Sequence, residues 1–138
     1  MSILMPKKVK HRKWHKGNSK GIENRATEIN FGSFGLKSLG TKWITARQLE
    51  AARRYIIRYL KKGGKLWIRV FPDKPVTFKG AEVGMGGGKG DISTYVAVVR
   101  PGMILFEVAG ADPAIVKEAF RKASAKLPID VKMVSREE

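Results

Sequence analysis

Residues 45–71 read TARQLEAARRYIIRYLKKGGKLWIRVF, in which a helical pattern gives way across two glycines to the pattern of a strand. Thr45 and Gln48 stand at the spacing of a capping box, where each side chain accepts a free backbone amide at the helix start. Apolar residues then recur at every third or fourth position, which predicts an amphipathic helix over about residues 45–62. The two glycines supply the expected stop.

Strand patterns flank this helix. Residues 27–44 read as short extended pieces whose glycines permit close backbone approach to a partner. Residues 65–71 carry apolar side chains on both faces, so we expect a largely buried strand in which Arg69 needs a partner or a route to the surface. Residues 93–108 form two segments rich in β-branched and aromatic residues, and Pro101-Gly102 between them predicts a hairpin.

A second helix completes the pattern. Asp112 as N-cap and Pro113 at the first helical position open it, and an apolar stripe predicts a span of 113–127. A last strand is expected at 129–134. The predicted fold is therefore α+β, a two-layer sandwich of a mostly antiparallel sheet with two main helices, together with a basic N-terminal extension and a Gly-rich loop.

The charge of the chain is strongly unbalanced. It carries 28 Lys and Arg residues against 12 Asp and Glu residues, a formal net charge of +16 on 138 residues. Such a charge repels itself and opposes a compact state unless a polyanion supplies the missing negative charge. Nucleic acid is the commonest such partner, because cationic side chains displace the counterions condensed on its phosphates. The composition thus predicts a nucleic-acid-binding protein.

Much of this charge lies near the N-terminus. Residues 1–25 form a basic extension with too little apolar surface to fold alone, so we expect it to become ordered on a partner, while residues 26–138 form a single α+β domain. Trp14 either stacks on an unpaired base or folds back onto the domain. The candidate RNA-binding residues of the extension are Lys7, Lys8, Lys10, Arg12, Lys13, Trp14, Lys16 and Lys20.

A second group of cations lies on the first predicted helix. At 100° per residue these cations fall opposite the apolar stripe, with Glu50 at the edge of the basic face. A merely solvated face usually mixes both signs, so we interpret this one as a phosphate contact, with a solvated helix face as the alternative. Its candidate residues are Arg47, Arg54, Arg58, Lys61 and Lys62.

Residues 84–91, GMGGGKGD, form a glycine loop with one lysine. A phosphate-binding P-loop requires Gly five residues before its Gly-Lys pair and Ser or Thr after it, but Val83 and Gly90 stand at those positions. Nucleotide binding is therefore disfavoured. Bare backbone with Lys89 at the tip suits contact with RNA, and the alternative is a disordered hairpin tip.

The sequence shows no pattern of an enzyme or a metal site. It contains no cysteine, and its two histidines, His11 and His15, lie in the basic extension without a carboxylate nearby. The carboxylates of the domain are scattered, and no nucleophile stands beside a plausible base. We therefore expect no catalysis, no metal, no cofactor and no small-molecule substrate.

No apolar run approaches the ~20 residues of a membrane span. The first residues are also too short an apolar run for a signal peptide, because lysines follow at once. The expectation is a cytoplasmic protein without a membrane partner.

Several stretches, in order along the whole chain, carry a family resemblance. They are PKKVKHRK at 6–13, FGSFGLK at 31–37, TARQ at 45–48 with EAAR at 50–53, WIRVFPDKP at 67–75, MGGGKG at 85–90 and KLPI at 126–129. With them the chain resembles bacterial large-subunit ribosomal protein L16 (the uL16 family). The stretch that ends in FPDKP is highly specific, whereas the glycine loop alone is not.

The resemblance implies a structural component of the large ribosomal subunit that binds 23S-type rRNA and helps to shape the A-site tRNA-binding region near the peptidyl-transferase centre. The implied partners are large-subunit rRNA, A-site tRNA with P-site tRNA left open, and neighbouring large-subunit ribosomal proteins. The basic extension matches the family segment that threads into rRNA. The alternative is a general basic architectural nucleic-acid-binding protein, which explains the charge but not the motifs.

The glycine loop has a separate implied role. Its residues match the family loop that reaches toward the tRNA-binding side, and they are Met85, Gly86, Gly87, Gly88, Lys89 and Gly90. Relatives commonly carry Arg just before this Met, where the present chain has Gly84, so no contact of that Arg carries over.

Overall fold

The structure, a computed structural model, describes residues 4–6, 27–61, 63–78 and 91–136. In chain order its elements are β1 (Phe34–Ser38), β2 (Lys42–Thr45), α1 (Ala46–Leu60), β3 (Lys65–Ile68), β4 (Lys74–Phe78), β5 (Asp91–Val99), β6 (Ile104–Ala109), α2 (Pro113–Ser124) and β7 (Val131–Ser135).

The strands form two antiparallel sheets. The first has four strands in the order β3-β6-β1-β7, and the second has three in the order β2-β5-β4. All pairings between neighbours are antiparallel. The predicted α+β class with two main helices is confirmed, and the strands are divided between two sheets.

The hairpin predicted around Pro101-Gly102 is wrong. β5 lies between β2 and β4, whereas β6 lies between β1 and β3 in the other sheet. The chain does turn here, because Gly102 has φ 95° and the Met103 amide donates to the Arg100 carbonyl at 3.3 Å. A Pro-Gly turn with its positive φ at the glycine splays the flanking strands, unlike the primed turns that close tight hairpins. The turn therefore passes the chain from one sheet to the other.

α1 begins as predicted and ends earlier than expected. The Gln48 amide donates to Thr45 Oγ1 at 3.2 Å, and the Thr45 amide donates to Gln48 Oε1 at 2.9 Å, which confirms the capping box. Lys61 already leaves helical geometry with φ 55°, before the glycine stop. After α1 the chain passes close to the end of the helix at Gly64. A Cβ on this glycine would come within 3.0 Å of Leu60 Cβ.

α2 is also shorter than its predicted span of 113–127. It ends at Ser124, and a turn follows in which the Leu127 amide donates to the Ser124 carbonyl at 3.2 Å. Asp112 stands at the N-cap position, but its side chain makes no capping hydrogen bond. The first helical residues are exposed, so solvent reaches the amides that the carboxylate was predicted to cap.

One buried cluster joins both helices to one face of the four-stranded sheet. It includes Leu36, Phe106 and Val108 from the sheet, Leu49 and Ile56 from α1, and Phe120 from α2, each at most 2% exposed. Leu4, within the predicted extension, is partly buried against this cluster. The helices therefore cover one side of the sheet, as expected for a sandwich.

The opposite side of the four-stranded sheet is here called the outer face. One row of side-chain positions on it runs through Trp67, Glu107, Gly35 and Val134, which are register partners across β3, β6, β1 and β7. Residues 27–32 cross this face before β1 begins. Ile29 in that segment lies over Gly35, where a Cβ would come within 3.1 Å of Ile29 Cγ1. The outer face is thus partly covered by the segment that follows the basic extension.

Among the described residues, no helix is long and apolar enough to cross a membrane.

Candidate nucleic-acid interface

The basic face predicted on the first helix is present on α1. Arg47, Arg54, Arg58 and Lys61 are all exposed, and they lie away from the buried stripe of the helix. Lys62, the last residue of the predicted set, lies outside the described residues. α1 therefore presents a run of cations to solvent along most of its length.

Glu50 partly neutralises this basic face. Its carboxylate pairs with Arg53 and also with Arg54, whose Nε lies 3.4 Å from Glu50 Oε1. The hydrogen bond from Arg53 lowers the pKa of Glu50 and outweighs burial, which raises it. Arg54 is nevertheless 74% exposed. Since exposed ion pairs contribute little, a phosphate group competes readily for this guanidinium.

Two cations lie against the ring of Tyr55 on α1. The Arg58 guanidinium carbon lies 5.2 Å from the ring centroid, and Lys126 Nζ lies 5.0 Å from it. Both distances fit cation–π contacts, which hold the cations in place without neutralising them. Lys126 thereby joins the basic face. Lys126 could not be assigned to this face from the sequence, because it follows α2 and only the packing of α2 on α1 brings it there.

The other predicted interface residues lie outside the described part of the chain. In the extension these are Lys7, Lys8, Lys10, Arg12, Lys13, Trp14, Lys16 and Lys20. In the glycine loop they are Met85, Gly86, Gly87, Gly88, Lys89 and Gly90. Their roles stay predictions.

Glu107 and Arg69 form a buried ion pair on the outer face. The Glu107 side chain is fully buried and that of Arg69 is 13% exposed, with Arg69 Nη1 donating to Glu107 Oε2. The other carboxylate oxygen accepts three backbone amides, from Asn30 at 3.0 Å, Phe31 at 2.7 Å and Gly32 at 2.8 Å. The partner that Arg69 was predicted to need is therefore Glu107, which the sequence presented only as one of several scattered carboxylates.

The carboxylate of Glu107 remains charged despite its burial. Burial alone raises the pKa of Glu107, but the Gly32 amide, the Arg69 guanidinium and the Phe31 amide together lower it below its ordinary value. Hydrogen bonds to the ionised form favour that form. Glu107 therefore anchors the crossing segment 27–32 to β6 through a charge that is fully hydrogen-bonded.

Phe31 lies on the outer face with its ring largely open to solvent. The ring stacks on Trp67 with centroids 6.1 Å apart and 22° between the planes. The Arg69 guanidinium carbon lies 5.4 Å from the Phe31 centroid. None of these three residues is among the predicted RNA-binding residues. Strand alternation was the available signal, since it places Trp67 and Arg69 on one side of the strand predicted over residues 65–71.

A comparison with known protein families identifies the family to which the chain belongs. The sequence model described as ribosomal protein L16p/L10e matches residues 6–134. The chain belongs to the L16p/L10e family. The resemblance seen in the motifs is thereby confirmed at the level of the family. L16p/L10e proteins are structural components of the large ribosomal subunit in the cytoplasm, so family membership implies rRNA and other ribosomal proteins as partners.

The L16p/L10e match extends over the two predicted RNA-binding segments that the structure does not describe in full. It includes the basic extension from residue 6 onward and the glycine loop at 85–90. Within the described residues, no group of three or more His, Asp or Glu side chains is arranged to hold a metal ion.

Proposed function

We propose that this protein binds 23S-type large-subunit rRNA through its basic extension and the basic face of α1. The observation that carries the proposal is the exposed cationic face of α1, on a chain of formal net charge +16 within a large-subunit family. Cations on a folded surface bind RNA by neutralising phosphates, and they fix its position without reading its sequence. The role is structural: the protein holds rRNA helices in place.

The proposal assigns different tasks to the two parts of the chain. Residues 26–138 provide a single α+β domain, and residues 1–25 provide an extension that folds as it binds. Ordering a residue costs about 1–2 kcal/mol of backbone entropy, so the extension requires a site dense in phosphate. Its run of lysines and arginines supports such a site.

We further propose that the loop at 85–90 faces tRNA and helps to shape the A-site region near the peptidyl-transferase centre. The support is the motif MGGGKG within the family match. Glycines let the backbone approach RNA closely, and Lys89 supplies a charge for a phosphate. Contact with P-site tRNA is the alternative assignment for the same loop.

Sedimentation of a tagged copy from cell lysate tests the proposal. We expect the protein to migrate with large ribosomal subunits at low salt and to remain with them at high salt, because a built-in component is held by many contacts at once. Release into the light fractions at high salt would contradict the proposal. It would point to a general basic architectural nucleic-acid-binding protein, since purely electrostatic binding weakens steeply with salt.

Charge reversal at Arg54 and Arg58 should weaken rRNA binding without unfolding the domain. Each phosphate contact contributes about 0.7–0.9 to the slope of log K against log salt, so losing two reduces that slope by about 1.4–1.8. The measurement is rRNA affinity over a series of salt concentrations, with thermal unfolding in parallel. Lost thermal stability would show that these arginines are structural.

A matched control is available on α2. Lys117→Glu with Arg121→Glu removes the same formal charge from two exposed positions, and Arg121 pairs with Glu118 much as Arg54 pairs with Glu50. We expect the α2 variant to retain more of the salt slope than the α1 variant. Equal losses would mean that net charge alone governs binding and that the face of α1 has no special part.

A further inference from the structure

Phe31 is an exposed aromatic ring that the fold holds rigidly in place. It is 57% exposed, although burying a Phe side chain fully is worth about 1.5–3 kcal/mol. The backbone around it is fixed, because Asn30, Phe31 and Gly32 all donate their amides to Glu107. The buried charge of Glu107 thus holds the Phe31 ring at the surface, where the ring gains only part of the free energy that full burial would provide.

The support beneath the ring is aromatic and cationic. Trp67 and Arg69 are two residues apart on one strand path and lie on the same side. Phe31 contacts both, stacking on the indole and lying beside the guanidinium. Arg69 is fixed in turn by Glu107 and by the Glu28 carbonyl, 3.1 Å from Arg69 Nη1. The solvent side of the Phe31 ring is therefore a preformed flat surface.

The same face of the sheet is rich in cations. Strand alternation places three lysines on it, and Arg136 follows β7, where its Nη2 donates to the Asn30 carbonyl at 3.5 Å. The lysines are Lys37, Lys65 and Lys132. Of the two glutamates near the crossing segment, Glu107 is neutralised by Arg69, which leaves Glu28 exposed. The balance on this face is positive.

A groove runs beside the crossing segment toward β7. It has a volume of about 520 Å³ and is lined by residues 27–30, Lys37 and residues 134–136. Lys37 and Arg136 bring positive charge to the groove, while the Phe31 ring lies next to Asn30 at its wall. An aromatic surface next to a cationic groove matches the two halves of a nucleotide, its base and its phosphate.

We propose that the outer face of the four-stranded sheet binds an unpaired nucleotide of RNA, with its base stacked on Phe31 and its phosphates on the cations of the groove. The proposal rests on the rRNA binding proposed above and adds a second surface, on the side of the sheet opposite the helices. Unpaired bases are the usual targets of aromatic side chains on exposed sheets, whereas duplex RNA offers no free base to stack. The charge balance favours RNA over a protein partner.

Binding of a labelled oligouridylate of about 12 nucleotides to the full chain tests this site, with an RNA duplex of equal charge as the second probe. Phe31→Leu should weaken oligouridylate binding about 5- to 150-fold, the range that loss of one stacked base implies. Duplex binding should change little. Phe31→Tyr keeps a ring that stacks, so it should bind like the unmodified chain, and this rescue separates stacking from folding.

Phe71→Leu is the matched control, because Phe71 is 47% exposed and lies outside the stacked pair. An equal loss in Phe71→Leu would overturn the assignment, as would unchanged oligouridylate binding in Phe31→Leu. If Phe31→Leu binds RNA normally but enters large subunits poorly, the face contacts a ribosomal protein and the proposal is wrong. Ultraviolet crosslinking to rRNA separates the two proposals. Crosslinks confined to residues 1–25 and α1 would support the proposed rRNA binding and contradict the nucleotide site on the outer face.

Discussion

Replacing Glu107 with Ala is expected to destabilise the domain by about 3–5 kcal/mol, because it leaves the largely buried guanidinium of Arg69 without its counter-charge. The loss also removes the acceptor of three backbone amides in the crossing segment. Urea unfolding of the purified chain measures this change as a lower midpoint. A smaller effect of Glu107→Gln is expected, since the amide oxygen still accepts hydrogen bonds but carries no charge for Arg69.

The control for this prediction is Glu118→Ala on α2. Glu118 also pairs with an arginine, Arg121, but the side chains are 45% and 63% exposed, respectively. Exposed pairs contribute little to stability, so this variant should unfold close to the unmodified chain. If both variants unfold alike, the Glu107 pair has no special part in stability. That result would also remove the support that we assign to Phe31.

The pH dependence of the free energy of unfolding in acid provides an independent test of the contribution of Glu107. Its pKa is lowered in the folded chain, mainly because hydrogen bonds from Gly32, Arg69 and Phe31 outweigh the opposing effect of burial. The unfolded chain therefore binds more protons in acid, and the stability that Glu107 supplies is present above its ordinary pKa. It is lost as the pH falls through the lowered, folded-state pKa. Glu107→Gln should remove this component and flatten the acid limb.

Local signals in the sequence predicted the helices well. The capping box at Thr45 and Gln48 is a contact between residues three apart, so the sequence contains both partners. The spacing of apolar residues on α1 likewise depends only on helix geometry. The ends of the helices were less well predicted: α1 ends at Leu60 because Lys61 takes φ 55°, a conformation that a residue other than glycine rarely adopts and that the apolar spacing does not signal.

Pairings between distant segments could not be predicted in the same way. Pro101-Gly102 signals a turn correctly, but the partners of β6 are β1 and β3, far away along the chain. Arg69 was recognised as needing a partner, yet Glu107 lies 38 residues further on and has no local mark. The aromatic surface was missed for the same reason, since Phe31 meets Trp67 only after the sheet has formed.

Gly32→Ala should also destabilise the domain strongly, because the crossing segment touches the backbone of β6. A Cβ at this position would lie 2.7 Å from the Val108 carbonyl oxygen and 2.9 Å from the Val108 amide nitrogen. These atoms belong to an inner strand and cannot move aside cheaply. Overpacking of this kind costs about 1–3 kcal/mol, and hydrogen bonds to Glu107 that break as the segment shifts cost about 1–3 kcal/mol more. Urea unfolding measures the sum.

Gly63→Ala is the matched substitution, because a Cβ there meets its nearest heavy atom, the Gly110 carbonyl oxygen, at an ordinary 3.8 Å. It should leave the midpoint unchanged or raise it slightly, as alanine restricts the unfolded chain. If Gly32→Ala is equally mild, the crossing segment does not lie on β6 as described. Gly32 was predicted to allow close backbone approach to a partner, whereas its close approach is to the Val108 backbone of its own sheet. If Gly32→Ala lowers both the stability of the domain and its affinity for oligouridylate, the position of Phe31 depends on the contact between Gly32 and the Val108 backbone.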